Sequence, residues 1–325
     1  MTNHPTLPRP AHRWAQGLAA LLLAASATAQ AAAPSTQFTL SGAVASPATY
    51  TDATLSALPA VTQTVSFQSG SGSQTHTYSG PTLWSLLDKA GLQADPAVHN
   101  DLLNRVVLVT GSDGYRSVFA LGELNPSFGN RASLVANREV VNGGSQPLGS
   151  DGFARTTAPG DVKGGRYVSN VTAISVQKTA STAAGTGGGV STSFKVSGAV
   201  QHAATFDLAA LQALPTVTRT VGANTYTGVS FWDLLNTTVG LTTDPAVHND
   251  VLNMYVVATG SDGYKAAFSL GELNPAFGNE PDLIAFQQNG QALGSTGFAR
   301  LVVPDDVKAG RWVSNLVSQI GRAHV

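Results

Sequence analysis

The sequence predicts an α+β architecture, built twice in tandem. One observation is the order of the hydrophobic patterns. Each half of the chain carries many short alternating or continuous apolar runs and one clear helical stretch. A second is repetition. "FTLSGAV" (38–44) returns as "FKVSGAV" (194–200), and "LSALPAVTQTV" (55–65) returns as "LQALPTVTRTV" (211–221). Between Asp95–Ala136 and Asp244–Ala285, 28 of 42 positions are identical without a gap, which marks a tandem duplication. The third is composition: 34 Gly and 16 Pro indicate a chain rich in turns. The copies span 35–178 and 193–318. Between them 179–192, "TASTAAGTGGGVST", reads as a flexible linker because its residues are small and Gly-rich.

Each copy opens on an alternating strand, Phe38–Leu40 or Phe194–Val196. Thr51 and Asp207 stand where an N-cap is wanted, before short apolar turns that end at Pro59 and Pro215. The next strand is "VTQTVSF" (61–67) in one copy and "VTRTV" (217–221) in the other. Gly80-Pro81 then opens "PTLWSLLDKAG", which puts Leu83, Leu86, Leu87 and Ala90 on one helical face. Its counterpart is "VSFWDLLNTTVG" (229–240). "RVVLVTG" (105–111) and "MYVVATG" (254–260) read as buried strands. "SDGY" turns the chain back at 112–115 and 261–264, because Asp-Gly between apolar runs is a strong hairpin signal. "RYVSNVTAISV" (166–176) and "RWVSNL" (311–316) supply the closing strand of each copy.

Composition excludes several functions. Net charge is −1 and only 11% of residues are charged, without a basic stripe, so no nucleic-acid partner is expected. There is no cysteine, hence no disulfide, no thiolate nucleophile and no thiolate metal ligand. Residues 1–31 read as a signal peptide. Arg9, His12 and Arg13 form the positive end, Leu18–Ala27 the apolar run, and Ala27-Thr28-Ala29 or Ala29-Gln30-Ala31 the cleavage site. No Arg pair precedes the run, so the general export route fits and a periplasmic or secreted location follows. No membrane span is expected in the mature chain.

Four ordered pieces together resemble the molybdopterin-binding domain of the sulfite oxidase family. They are "YSGPTLWSLLDKAG" or "YTGVSFWDLLNTTVG", then "VTGSDGY" or "ATGSDGY", then "LVANREVVNGGSQPLG" or "LIAFQQNGQALG", and last "GFARTTAPGDVKGGRYVSNVTAISV" or "GFARLVVPDDVKAGRWVSNL". The resemblance implies two copies of that strand-rich mixed α/β fold. It also implies a molybdenum-ligating Cys after the strand equivalent to 61–67, in a Cys-x-x-Asn-Arg loop. Here that place reads "QSGSGSQTHTY" (68–78) and "GANTY" (222–226), without Cys or Asn-Arg. The Lys that the resemblance would put after the final aromatic-Val step is Ser169 or Ser314. The expectation is therefore the fold without a cofactor, with molybdopterin as the alternative.

Arg155 and Arg300 fall where the resemblance places an Arg near the pterin, which makes them anion-site candidates. The competing reading packs each Arg stem and pairs it with Asp161 or Asp306. "SDGY" offers Asp113, Tyr115, Asp262 and Tyr264 to a ligand, and these with Arg166 and Arg311 are further anion or pterin-pocket candidates, although "SDGY" already reads as a turn. "DPAVHND" (95–101, 244–250) reads as a capped polar connection, and Glu123 and Glu272 as turn caps. The function expected is a non-catalytic binding or interaction protein whose partner is a small anion or another protein. A molybdopterin-dependent oxidoreductase and a structural repeat of a larger surface protein are the alternatives. The second copy breaks from the first at Gln319, where the first has Ile174. "IGRAHV" is also one frame of a widely used sequencing adaptor. Residues 319–325 thus read as a non-native tail, expected not to complete the last strand.

Overall fold

The computed structural model describes residues 1–2, 34–181 and 183–322. Beyond Met1 and Thr2, the expected signal peptide lies outside these residues. The fold is mixed α/β and strand-rich, with the same order of elements in each repeat except that two strands of the first are one continuous strand in the second. In the first repeat these are β1 (Gln37–Gly42), β2 (Ala48–Thr51), α1 (Asp52–Ser56), β3 (Val61–Ser69), β4 (Gly72–Gly80), α2 (Leu83–Lys89), β5 (Arg105–Gly111), β6 (Arg116–Ala120), α3 (Leu121–Leu124), β7 (Val135–Ala136), β8 (Arg138–Val141), β9 (Gly144–Gln146), β10 (Arg155–Thr156) and β11 (Val171–Lys178). The second has β12 (Ser193–Gly198), β13 (Ala204–Asp207), α4 (Leu208–Gln212), β14 (Val217–Val221), β15 (Asn224–Ser230), α5 (Phe231–Asp233), β16 (Tyr255–Gly260), β17 (Lys265–Ser269), α6 (Leu270–Leu273), β18 (Leu283–Gln288), β19 (Gln291–Ala292), β20 (Arg300–Val302) and β21 (Leu316–Arg322).

Each repeat has a five-stranded sheet, in order β2-β1-β11-β5-β6 or β13-β12-β21-β16-β17. A second sheet, β3-β4-β8-β9 or β14-β15-β18-β19, lies apart from it, and β20 joins the latter through β18. The parallel pair β1·β11, like β12·β21, closes each repeat's first strand on its last, which is why the closing motif cannot be removed without opening the core. Alternation fixes the buried face: Phe38, Leu40, Ile174, Val176, Val107 and Val109 all point into one cluster.

Local signals behave as their chemistry requires. Thr51 and Asp207 are N-caps, accepting from the backbone N–H groups of Thr54 and Ala210. Thr82, rather than the Gly80-Pro81 step, caps α2 and accepts from Ser85. The second copy has one more residue before Gly240 than the first has before Gly91. The extra residue is absorbed as a π-turn, Leu234–Thr238, directly after α5. Asp113 and Asp262 accept from the N–H of Tyr115 and Tyr264 in tight turns between paired strands, as the hairpin reading requires. The 68–78 segment is not a loop: β3 runs to Ser69 and β4 starts at Gly72, so it forms the end of a long hairpin.

The tail departs from expectation. The backbone of β21 runs through Arg322 and pairs with both β12 and β16. Gln319 takes the register position of Ile174, opposite Val196 and Ala258, and is fully buried.

The stretch Ala32–Val325 is one unit containing both repeats. A hydrophobic cluster crosses the boundary, with Val106, Leu108 and Val118 meeting Tyr255, Val257 and Ala267. The 179–192 segment is held along the second repeat. Thr186 and Gly188 N–H groups donate to Ser261 O at 2.7 and 2.8 Å, and Ser261 Oγ donates to Gly189 O. Among the described residues no helix is long and apolar enough to cross a membrane.

Candidate functional site

The repeated motif around Arg166 and Arg311 builds the centre of the contact between the repeats. Arg166 Nε and Nη2 donate to both oxygens of Asp161 at 2.8 and 2.6 Å, and Nη1 donates to Glu123 at 2.5 Å. Arg311 does the same with Asp306 and Glu272. A Cβ on Gly122 would lie 2.6 Å from Arg311 Cδ, and one on Gly271 would lie 2.6 Å from Arg166 Cδ. Each arginine is thus seated against a glycine of the other repeat. Reciprocal backbone bonds, Val162 N–H to Phe277 O and Val307 N–H to Phe128 O, complete the pseudo-twofold contact. Both arginines are sealed from solvent and are structural, so neither is open to a ligand.

Tyr115 and Tyr264 serve the same contact. Each hydroxyl donates to a backbone carbonyl of its own repeat, Gly165 or Gly310, and accepts from an Asn of the other repeat, Asn249 or Asn100. Burial pushes both phenols above their ordinary range.

Arg155 and Arg300 have diverged. Neither pairs with Asp161 or Asp306, which belong to Arg166 and Arg311. Arg155 pairs with Asp151 and sits over the rings of Phe67, Tyr78 and Tyr167 at 5.4–5.8 Å. Glu139 lies nearby on β8, hydrogen-bonded to His76 at 2.7 Å. Burial first, and these carboxylates after it, push the Tyr78 phenol to about 12 although Arg155 pulls the other way. In the second repeat every one of those partners is neutral: Thr296 replaces Asp151, Gln288 replaces Glu139 and Asn224 replaces His76. Arg300 stacks on Trp312 at 4.9 Å, and Trp312 meets Tyr226 edge-on. Its Nε, like that of Arg155, is buried without a partner among the described residues, and burial pulls its pKa below the usual guanidinium value. No carboxylate lies within ion-pair distance of Arg300 among the described residues, whereas Arg105, Arg131, Arg155, Arg166 and Arg311 each have one.

A cavity of about 540 Å³ opens beside Arg155, between the repeats. The long hairpin of the first repeat forms one wall, tied down by the Gln68 N–H to Val162 O bond at 2.8 Å. His248, Asn249 and Phe277 of the second repeat form the other. The shorter β14–β15 hairpin has no such overhang.

No protein-family profile and no curated protein matches the chain. Among solved structures, the sulfane dehydrogenase SoxCD from Paracoccus pantotrophus is similar at 18% identity and a TM-score of 0.36, covering 44% of this chain and 38% of that one. A likeness of that extent carries no statement about activity.

The residues present do not fit a molybdenum centre of the thiolate-ligated kind. The chain has no sulfur donor other than two Met, and the positions where the resemblance puts the Cys loop belong to two tight hairpins. Among the described residues no group of three or more His, Asp or Glu is placed to hold a metal ion. "DPAVHND" is the capped connection expected: Asp101 accepts from Asp95 N–H and pairs with Arg105. The cavity walls contributed by His248 and Phe277 were beyond sequence reasoning, because nothing in a local pattern says which faces of two repeats meet.

Proposed function

We propose that this chain is an exported, non-catalytic binding protein that takes a small oxyanion at Arg300. One observation carries the reading: the first-repeat arginine keeps its carboxylate partner, and its second-repeat twin has lost every acid around it. A half-buried guanidinium without a counter-charge is costly, and an oxyanion supplies the charge that Thr296 and Gln288 no longer provide. The planar fork of Arg suits bidentate contact with sulfate, phosphate or carboxylate, and Trp312 holds its plane. Only Nε of this guanidinium is sealed and unpartnered, leaving the terminal nitrogens for a ligand. Export rests on the N-terminal sequence pattern, and the non-catalytic reading on the missing thiolate.

Calorimetric titration with sulfate and phosphate at low ionic strength tests the site, since screening weakens partly exposed charge contacts. Wild-type protein binds and Arg300→Gln does not, while Arg155→Gln binds as wild type. A wild-type protein that takes up neither anion would sink the reading. The oxyanion proposal also expects no molybdenum in protein made by a cell that synthesises the cofactor. Elemental analysis near one molybdenum per repeat would restore the oxidoreductase reading.

A further inference from the structure

We infer that the cavity between the repeats is a separate site for a flat aromatic carboxylate. Its floor is backbone: a Cβ on Gly164 would lie 2.6 Å from the Phe67 ring, and one on Gly165 would lie 2.5 Å from the Phe277 ring. Those two rings therefore stand on either side of a glycine step, one from each repeat, with Tyr167 packed on Phe67 at 4.2 Å between centroids. All three rings are largely buried and offer the cavity only a small part of their surface, an apolar patch against which a flat ring packs. The polar groups on the rim are basic or neutral. Lys163 is exposed, borders the cavity and meets no carboxylate within ion-pair distance among the described residues. Arg155 and His248 also line it, and no Asp or Glu does. The charge of Arg155 is already met by Asp151, so Lys163 is the cation left for a ligand's anionic end. An aromatic-edged lining and a single open ammonium at the mouth select a ring bearing one carboxylate, and the volume is that of an ordinary small-molecule site. Because its walls come from both repeats, the ligand bridges them.

The test uses the full chain with 1-naphthoate and its neutral counterpart 1-naphthamide as probes, followed by calorimetry. Naphthoate binds one per chain, about tenfold or more tighter than the amide, as a charge-assisted contact gives. Lys163→Ala removes about tenfold from naphthoate affinity and leaves the amide unchanged. Lys163 and His248 are exposed, so their alanine variants keep the fold, and His248→Ala weakens both probes by opening the second-repeat wall. Arg300→Gln leaves naphthoate binding untouched, which separates this site from the oxyanion site. The inference is overturned if wild type fails to bind naphthoate, if acid and amide bind alike, or if Lys163→Ala has no effect.

Discussion

Arg131 and Glu280 occupy the same position of the two repeats and pair with each other across the boundary between them. Most of the surrounding positions are identical in the two copies, yet this one holds opposite charges. Arg131 also donates to Pro159 O at 2.8 Å and to Gly278 O at 3.3 Å, so it ties a turn of each repeat. Two copies of the first repeat would bring Arg131 against Arg131, and two of the second Glu280 against Glu280. The difference favours contact between unlike repeats over contact between like ones.

Reversing one member of the pair should therefore be costly and reversing both less so. The side chains are 14% and 13% exposed, so Arg131→Glu leaves two carboxylates buried together and costs about 3–5 kcal/mol. Adding Glu280→Arg recovers part of this, not all, because the carboxylate introduced at position 131 still faces Asp161 and Glu123. Urea denaturation of the four proteins in the cycle measures the coupling. A double variant whose loss equals the sum of the singles would show that the pair does not hold the repeats together.

Around this pair the charges do not balance. Arg131, Arg166 and Arg311 face Glu123, Asp161, Glu272, Glu280, Asp282 and Asp306, three cations among six carboxylates. Burial raises Glu272 to about 8 against the pull of Arg311. Burial likewise raises Asp161, Glu280 and Asp306 from their ordinary values, and holds Asp282 well above its own. Neither carboxylate oxygen of Asp282 has a hydrogen-bond partner among the described residues. A carboxyl raised on folding binds its proton more tightly in the folded state. Between the unfolded value near 4 and the folded value, the folded protein thus holds more protons, and stability falls as pH rises. The melting temperature should be highest near pH 5 and drop by pH 8.5, a loss on the order of a few kcal/mol. Asp282→Ser, the first-repeat residue at this position (Ser133), should flatten the slope. A melting temperature that climbs from pH 5 to 8.5 would show these carboxyls to be ionised in the folded protein.

The elements themselves were legible in the sequence. The N-caps at Thr51 and Asp207, the Asp-Gly turns and the strand alternation are local chemistry, decided within a few residues. What was not legible is long-range. Arg155 pairs with Asp151 rather than Asp161 because the turn at 149–155 folds back on itself, and Asp161 is taken by Arg166. The polar string 68–78 looked like a loop, yet Ser and Thr side chains form cross-strand hydrogen bonds, Ser66 to Thr75 and Thr64 to Thr77, that hold a hairpin. The 179–192 stretch looked free by composition. Its small residues instead let the backbone lie close to the second repeat.

That closeness gives a test at Gly185. A Cβ there would lie 2.4 Å from both Gly263 N and Ser261 O, which are backbone atoms that cannot swing aside. Gly185→Ala should therefore lift the segment and break the Thr186 and Gly188 bonds to Ser261. Both repeats keep their own cores, so the melting temperature should change little while limited proteolysis between the repeats quickens several-fold. Equal cleavage rates for the variant and wild type would mean that the segment is already detached in solution.

The last strand offers the sharpest comparison between the repeats. Ile174 and Gln319 sit at one register position, each between the first strand of its repeat and the long central strand, opposite Leu40 and Val109 or Val196 and Ala258. Both are fully buried. Ile174 packs in the core of the first repeat, whereas both amide atoms of Gln319 lack hydrogen-bond partners among the described residues. An unpartnered buried amide costs about 1–3 kcal/mol, and the aliphatic group it displaces forfeits its own burial. Gln319→Ile should accordingly stabilise the chain by about 2 kcal/mol or more, and Ile174→Gln in the first repeat should destabilise it by a comparable amount. Chemical denaturation of the two variants beside wild type reads both effects. Backbone pairing at this position is the same in both repeats, so a difference isolates the side chain. A Gln319→Ile protein no more stable than wild type would mean that the amide finds partners in solution and that the second repeat tolerates a polar residue where the first requires an apolar one.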